Sequence, residues 1–245
     1  MTKASRVPLT IGVLVLGALC PAARVSAQQR PPIADQLAKT YGLDSFGQVE
    51  AIRYTFNIDL PALKLKLARS WVWEPKTDTV TYEGKDKAGN PVKVTYSRSQ
   101  LASQSAQVKN EVDPGFINDQ YWLLFPFHLV WDAGATITDE GMQKLPLGKG
   151  TAHKVVAKYA GGGYTPGDTW MLFVGKDNRI QQLEFHHGGD AKPSLVITTW
   201  AEYKKAGPLL FSLDHRGPAD GKPFRLFFSK VAVKLSGSNE WVEAK

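Results

Sequence analysis

The chain has 245 residues, 30 basic against 23 acidic, 43% hydrophobic and 11% aromatic, with a single cysteine. That composition fills a core and excludes a disordered tail, while one cysteine excludes an internal disulfide and a thiolate metal cluster. The net charge of +7 is carried in part by the first residues: Lys3 and Arg6 precede an apolar run from Val7 to Leu19, and Val25-Ser26-Ala27 has the small residues a signal peptidase reads. The run is about 13 residues long, where a spanning helix needs about 20. Residues 1–27 therefore read as a secretory signal cleaved after Ala27, and residues 28–245 as a single domain bound for the periplasm or for secretion. Lipoprotein processing at Cys20 is the weaker alternative, because bulky Leu19 precedes it. Losing Lys3, Arg6 and Arg24, and no acid, lowers +7 to +4, and without clustered Lys and Arg there is no electrostatic case for nucleic acid.

In chain order, Ile33, Leu37 and Tyr41 recur at helical spacing and Gly42 follows where a left-handed cap is needed, predicting one short helix over 32–41. From Val49 the period becomes two. Ile52, Tyr54, Phe56 and Ile58 alternate with polar residues, and Leu63, Leu65, Leu67, Trp71 and Trp73 repeat the pattern after a turn at Asp59–Ala62. Runs at Val80–Tyr82 and Val92–Tyr96 complete an antiparallel meander of four strands. Ser99–Val112 is weakly periodic, and Asp113-Pro114 then supplies an N-cap and first helical position for a segment carrying Phe116, Ile117, Tyr121 and Trp122. Six strands follow, over 153–159, 169–174, 179–187, 194–203, 209–216 and 224–235, with Gly175–Asn178 a hairpin turn. About ten strands with two or three helices, and no strand–helix alternation, make a mainly β, α+β protein and exclude a parallel Rossmann-type sheet.

Several segments resemble the LolA and LolB lipoprotein-carrier superfamily, most closely an uncharacterised exported branch of it: the helix-first start, Trp71-Val72-Trp73-Glu74-Pro75, Val174–Gln182, and Thr199-Trp200-Ala201-Glu202-Tyr203. The resemblance implies a strongly curved antiparallel sheet of about ten to eleven strands, a half-barrel whose concave face is closed by the helices around an apolar cavity. In the carriers that cavity receives acyl chains. They also place an arginine before the proline of the Trp-Val corner, where this chain has Glu74.

The aromatic residues carry the rest of the functional reading. Tyr54, Phe56, Trp71 and Trp73 share the apolar parity of neighbouring strands, and Trp122, Phe125 and Phe127 lie on the segment that would cover them, so these rings either pack on one another or line a site for a hydrophobic guest. Arg69 falls on the same parity. Either a twist near Ser70 carries it to solvent, or it meets a lipid carboxylate or phosphate. The expected function is non-catalytic binding of a lipid or another hydrophobic small molecule, with transient membrane or lipoprotein contact and a monomeric state, and no cofactor. The alternatives are a protein-interaction module with a filled core, or a hydrolase or metal enzyme. For the latter, His186 and His187 are neighbours on one strand and point to opposite faces, no HExxH or GxSxG is present, and Gly161–Gly167 joins strand to strand without a phosphate-binding helix. Asp113, Asp119, Asp132 and Asp139 read as caps and solvated turns.

Overall fold

The computed structural model describes residues 30–86, 88–161, 166–188 and 194–245; the expected leader with Cys20, and most of the Gly161–Gly163 loop, lie outside them. The first element is α1 (Pro32–Thr40), which buries Ala34, Leu37 and Ala38. Proline at its first position costs no hydrogen bond, because the first helical N–H groups have no partner within the helix. Gly42 ends it at φ +104°, and a Cβ there would sit 2.5 Å from the Pro208 carbonyl oxygen. Gly42→Ala should therefore cost about 1–3 kcal/mol, read as a lowered midpoint of thermal unfolding. Tyr41 pins the same corner: its hydroxyl donates to Tyr203 at 2.6 Å and accepts from the Ile180 N–H at 3.2 Å.

The expected meander is present as β1 (Val49–Leu60), β2 (Leu65–Glu74), β3 (Thr79–Lys85) and β4 (Pro91–Ser97). Register carries the period-two pattern across the strands. Ile52 faces Trp73, Tyr54 faces Trp71 and Phe56 faces Arg69, while Trp71 in turn faces Tyr82. The second half comprises β5 (Ala135–Lys144), β6 (Thr151–Tyr159), β7 (Thr169–Val174), β8 (Ile180–His186), β9 (Leu195–Thr199), β10 (Ala201–Ala206), β11 (Leu209–Ala219), β12 (Lys222–Leu235) and β13 (Trp241–Glu243). All thirteen join one antiparallel sheet in the order β4-β3-β2-β1-β12-β11-β9-β8-β7-β6-β5, with β10 on β11 and β13 on β12.

Three features depart from the sequence expectation. Among the described residues the strands number thirteen, because β5 and β13 lack a clear hydrophobic pattern and the predicted strand over 194–203 is broken into β9 and β10 at Trp200. Leu63 is no strand residue: it closes a 3₁₀ turn at Pro61–Leu63 and is 60% exposed. The sheet is also not strongly curled into a half-barrel. Its outer strands β4 and β5 stay unpaired with one another, and the register shifts that bend strands are confined to two between β1 and β12, one between β5 and β6 and one between β7 and β8.

One face of the sheet is covered by α2 (Asp113–Trp131), entered through a π-helical turn at Val108–Val112. The helix is apolar on nearly every side, as a largely buried helix must be, with Asn118 and Trp131 exposed. It tolerates Pro126 by departing from helical geometry at Leu124, where φ is −115° and ψ 15°. Arg30 donates to the Val130 carbonyl at 3.2 Å and ties the chain entry to the last turn of α2.

Candidate functional site

The rings expected to line a cavity are packed mainly on one another. Tyr54 and Phe56 meet Phe228 edge-on at 5.9 and 5.8 Å between centroids. Trp71 lies 4.6 Å from Tyr82 and 5.5 Å from Phe116, and Trp73 lies 6.0 Å from Phe116. From α2, Trp122 meets Trp170 at 5.1 Å, Phe125 stacks on Trp170 at 4.3 Å, and Phe127 stacks on Trp131 at 5.2 Å. All seven predicted ring residues are buried.

Arg69 does not turn to solvent. Its guanidinium makes a two-pronged bond to Asp119 of α2, with Nε donating to Oδ2 at 2.8 Å and Nη2 to Oδ1, and it lies 5.1 Å from the centroid of Phe56. Asp119 is fully buried and also accepts from Trp71 Nε1 at 2.8 Å and Asn118 Nδ2 at 3.0 Å. Burial pushes its carboxyl up to about 6 against the opposing pull of Arg69 and these donors. The expectation that Asp113 and Asp119 are solvated caps is therefore overturned. Asp113 is equally buried and accepts from Tyr96 Oη and Arg98 Nε, both at 2.8 Å. No side chain caps α2, whose entry is already helical. Asp132 accepts from Tyr121 and Tyr159 at 2.7 and 2.8 Å and lies 3.1 Å from His128 Nδ1. Burial would raise its carboxyl, but the bonds from His128, Tyr121 and Tyr159 outweigh it and hold it low. Asp139 stays near the surface, 3.2 Å from His153.

Two clefts flank the first turns of α2. The larger, about 510 Å³, opens between the helix and β2–β4, with Leu67, Trp71, Tyr82 and Val92 as apolar walls and Arg69, Lys85, Asp86 and Glu111 as charged lining. The smaller, about 310 Å³, lies between the helix and β7–β8, walled by Ile117, Tyr121, Trp170 and Phe185. Pro114 and Asn118 line both. Of the sequence-predicted residues, Arg69 and Trp71 reach the larger cleft, and Tyr54, Phe56, Trp73, Trp122, Phe125 and Phe127 line neither. At the rim of the smaller cleft, His187 Nδ1 is 2.9 Å from Asp168, while His186 turns away to Glu184 at 2.7 Å, so the two imidazoles part as expected. His215 is fully enclosed, and burial pushes its imidazole down to about 3. Sequence reasoning missed Asp119 as an anchor and missed the second cleft. A carboxylate set among Phe116, Ile117 and Trp122 is itself the signal for the first. The second is assembled from α2, β7 and β8 and leaves no local trace.

No family model matches this sequence, and no curated protein matches it. Among solved structures, the fold is similar to a DUF1329 family protein from Desulfovibrio piger and to a LolA superfamily protein from Nitrosomonas europaea. Each has a TM-score of 0.45 at 10% identity, with 84% of this chain and 94% of the other covered. It is also similar to the lipoprotein LppX of Mycobacterium tuberculosis, at TM-score 0.29 and 8% identity over 84% of this chain and 98% of that one. These are likenesses at low sequence identity. The functional reading rests on the chain's own residues.

Proposed function

We propose that the chain is an exported, non-catalytic protein that binds a lipid or another hydrophobic ligand in the paired clefts beside α2, and acts in the periplasm or outside the cell. One observation carries this reading: two clefts with apolar walls, of about 510 and 310 Å³, meet across Pro114 and Asn118. Both volumes fall within the range in which small-molecule sites are found. An acyl chain would lie against Leu67, Trp71 and Val92, or against Ile117, Trp170 and Phe185, and needs few polar partners there.

The test is lipid extraction from protein purified out of its own host, followed by mass spectrometry. Near-stoichiometric lipid is the expected result. In a fatty-acid series, affinity should rise by up to about fourfold per added methylene, the equivalent of about 0.8 kcal/mol, until the cleft is full. Protein that carries no lipid and takes up no fatty acid would overturn the reading. It would favour instead a protein-interaction module, which the ring-on-ring filling of the interior also suits.

A further inference from the structure

The face of the sheet turned away from α2 carries a second, chemically different feature. Two adjoining grooves of about 480 and 520 Å³ cross it and share Ser70, Glu83 and Lys93. Register explains their lining. Lys93 faces Glu83, Glu83 faces Ser70, Ser70 faces Thr55 and Thr55 faces Ser229, so one cross-strand row runs over five neighbouring strands. The row is rich in hydroxyls held by one another: Thr55 and Ser70 are bonded at 2.9 Å, and the flanking Thr81 and Thr95 at 2.8 Å. In each bonded pair one hydroxyl proton stays available to an outside acceptor.

Each of the same five strands also lends one cation to the trough: Lys230 from β12, Arg53 from β1, Lys66 from β2, Lys85 from β3 and Lys93 from β4. The two acids among them pair with two of these cations, Glu83 with Lys93 at 3.4 Å and Glu243 with Arg53, so the lining of the two grooves keeps an excess of positive charge carried by Lys66, Lys85 and Lys230. Lys230 is set by a bulge. Arg53 faces Ala232 whereas Thr55 faces Ser229, and Lys230 takes φ +56° in the extra length, the kind of irregularity that re-aims a side chain. Five strands at about 4.8 Å spacing place these charges over about 19 Å.

We infer that this trough binds an anionic glycan laid across the strands: hydroxyls meet sugar hydroxyls, and the row of cations meets carboxylates or phosphates. A peptide adding itself as a strand would instead need a free sheet edge, and the edges of the main path are β4 and β5, so β12, β1, β2 and β3 offer none. The inference does not rest on the lipid clefts: the trough shares Lys85 with the larger one, but Lys93 and Lys230 line neither.

Binding of polygalacturonate at low salt tests it, with dextran as a neutral glycan and poly-L-glutamate as an acidic peptide. Polygalacturonate should bind and weaken as salt rises, dextran should bind at least tenfold more weakly, and poly-L-glutamate should not surpass the glycan. The double variant Lys93→Gln/Lys230→Gln should lose at least tenfold in affinity at an unchanged unfolding midpoint, since both side chains are exposed. Dextran binding as tightly, poly-L-glutamate binding better, no polygalacturonate binding at all, or full affinity in the double variant would each overturn the inference.

Discussion

Arg69→Met should lower the unfolding free energy by about 3–5 kcal/mol at neutral pH, because it strands a carboxylate inside the protein. Asp119 has no exposed side-chain surface, whereas Arg69 keeps 22% of its own. Removing the acid is therefore the milder change: after Asp119→Ala the guanidinium can still reach water. The deficit of Arg69→Met should also shrink on acidification. Burial already raises the Asp119 carboxyl to about 6 with Arg69 opposing the rise, and without Arg69 it goes higher. A carboxyl raised above its unfolded value of about 3.9 binds its proton more tightly in the native state, so each protein gains stability as pH falls through its own native Asp119 value; that value is higher in Arg69→Met, so the variant recovers first and the deficit closes as pH falls toward about 6, where the parent's carboxyl takes its proton too. Asp214 behaves in the opposite sense. Burial there is outweighed by bonds from Arg225 and Arg216 that hold its carboxyl low, and its contribution is present above the unfolded value and lost below it. Urea unfolding of Arg69→Met at pH 8 and pH 5 reads the difference, and equal deficits at the two pH values would show that Asp119 does not carry the cost.

Where a sheet residue points was legible from alternation alone, since register preserved the parity of Ile52, Tyr54, Phe56, Arg69, Trp71 and Trp73 across β1 and β2. The same alternation separated His186 from His187. What alternation could not supply was the partner. Arg69 and Asp119 are 50 positions apart, and nothing local links them beyond the oddity of a charge at an apolar position in each element. Edge strand β5 stayed hidden for a physical reason: only Ile137 among its residues is buried, so the hydrophobic signal that marks an inner strand is absent. Of the residues named from the sequence, Arg69 and Trp71 line the larger cleft. The smaller one was not foreseen: Trp170 and Phe185 face each other across the β7–β8 hairpin, but Ile117 joins them only when α2 packs on the sheet.

Trp170 is where packing and ligand binding meet, and two substitutions separate the roles. It is buried against Trp122, Phe125 and Phe185, with centroids at 5.1, 4.3 and 4.4 Å, and it walls the smaller cleft. Trp170→Ala should cost about 3–5 kcal/mol, from the lost transfer of a large ring plus the cavity left behind. Trp170→Phe keeps an aromatic ring in place. The indole Nε1 it removes is buried without a partner among the described residues, so no hydrogen bond to them is lost and the cost should stay below about 1.5 kcal/mol. If the cleft takes acyl chains by apolar contact alone, fatty-acid affinity in Trp170→Phe should stay within about twofold of the parent. A loss of tenfold or more at unchanged stability would mean that the indole N–H donates to the ligand, and the smaller cleft would then have to receive a polar group of the guest rather than its tail.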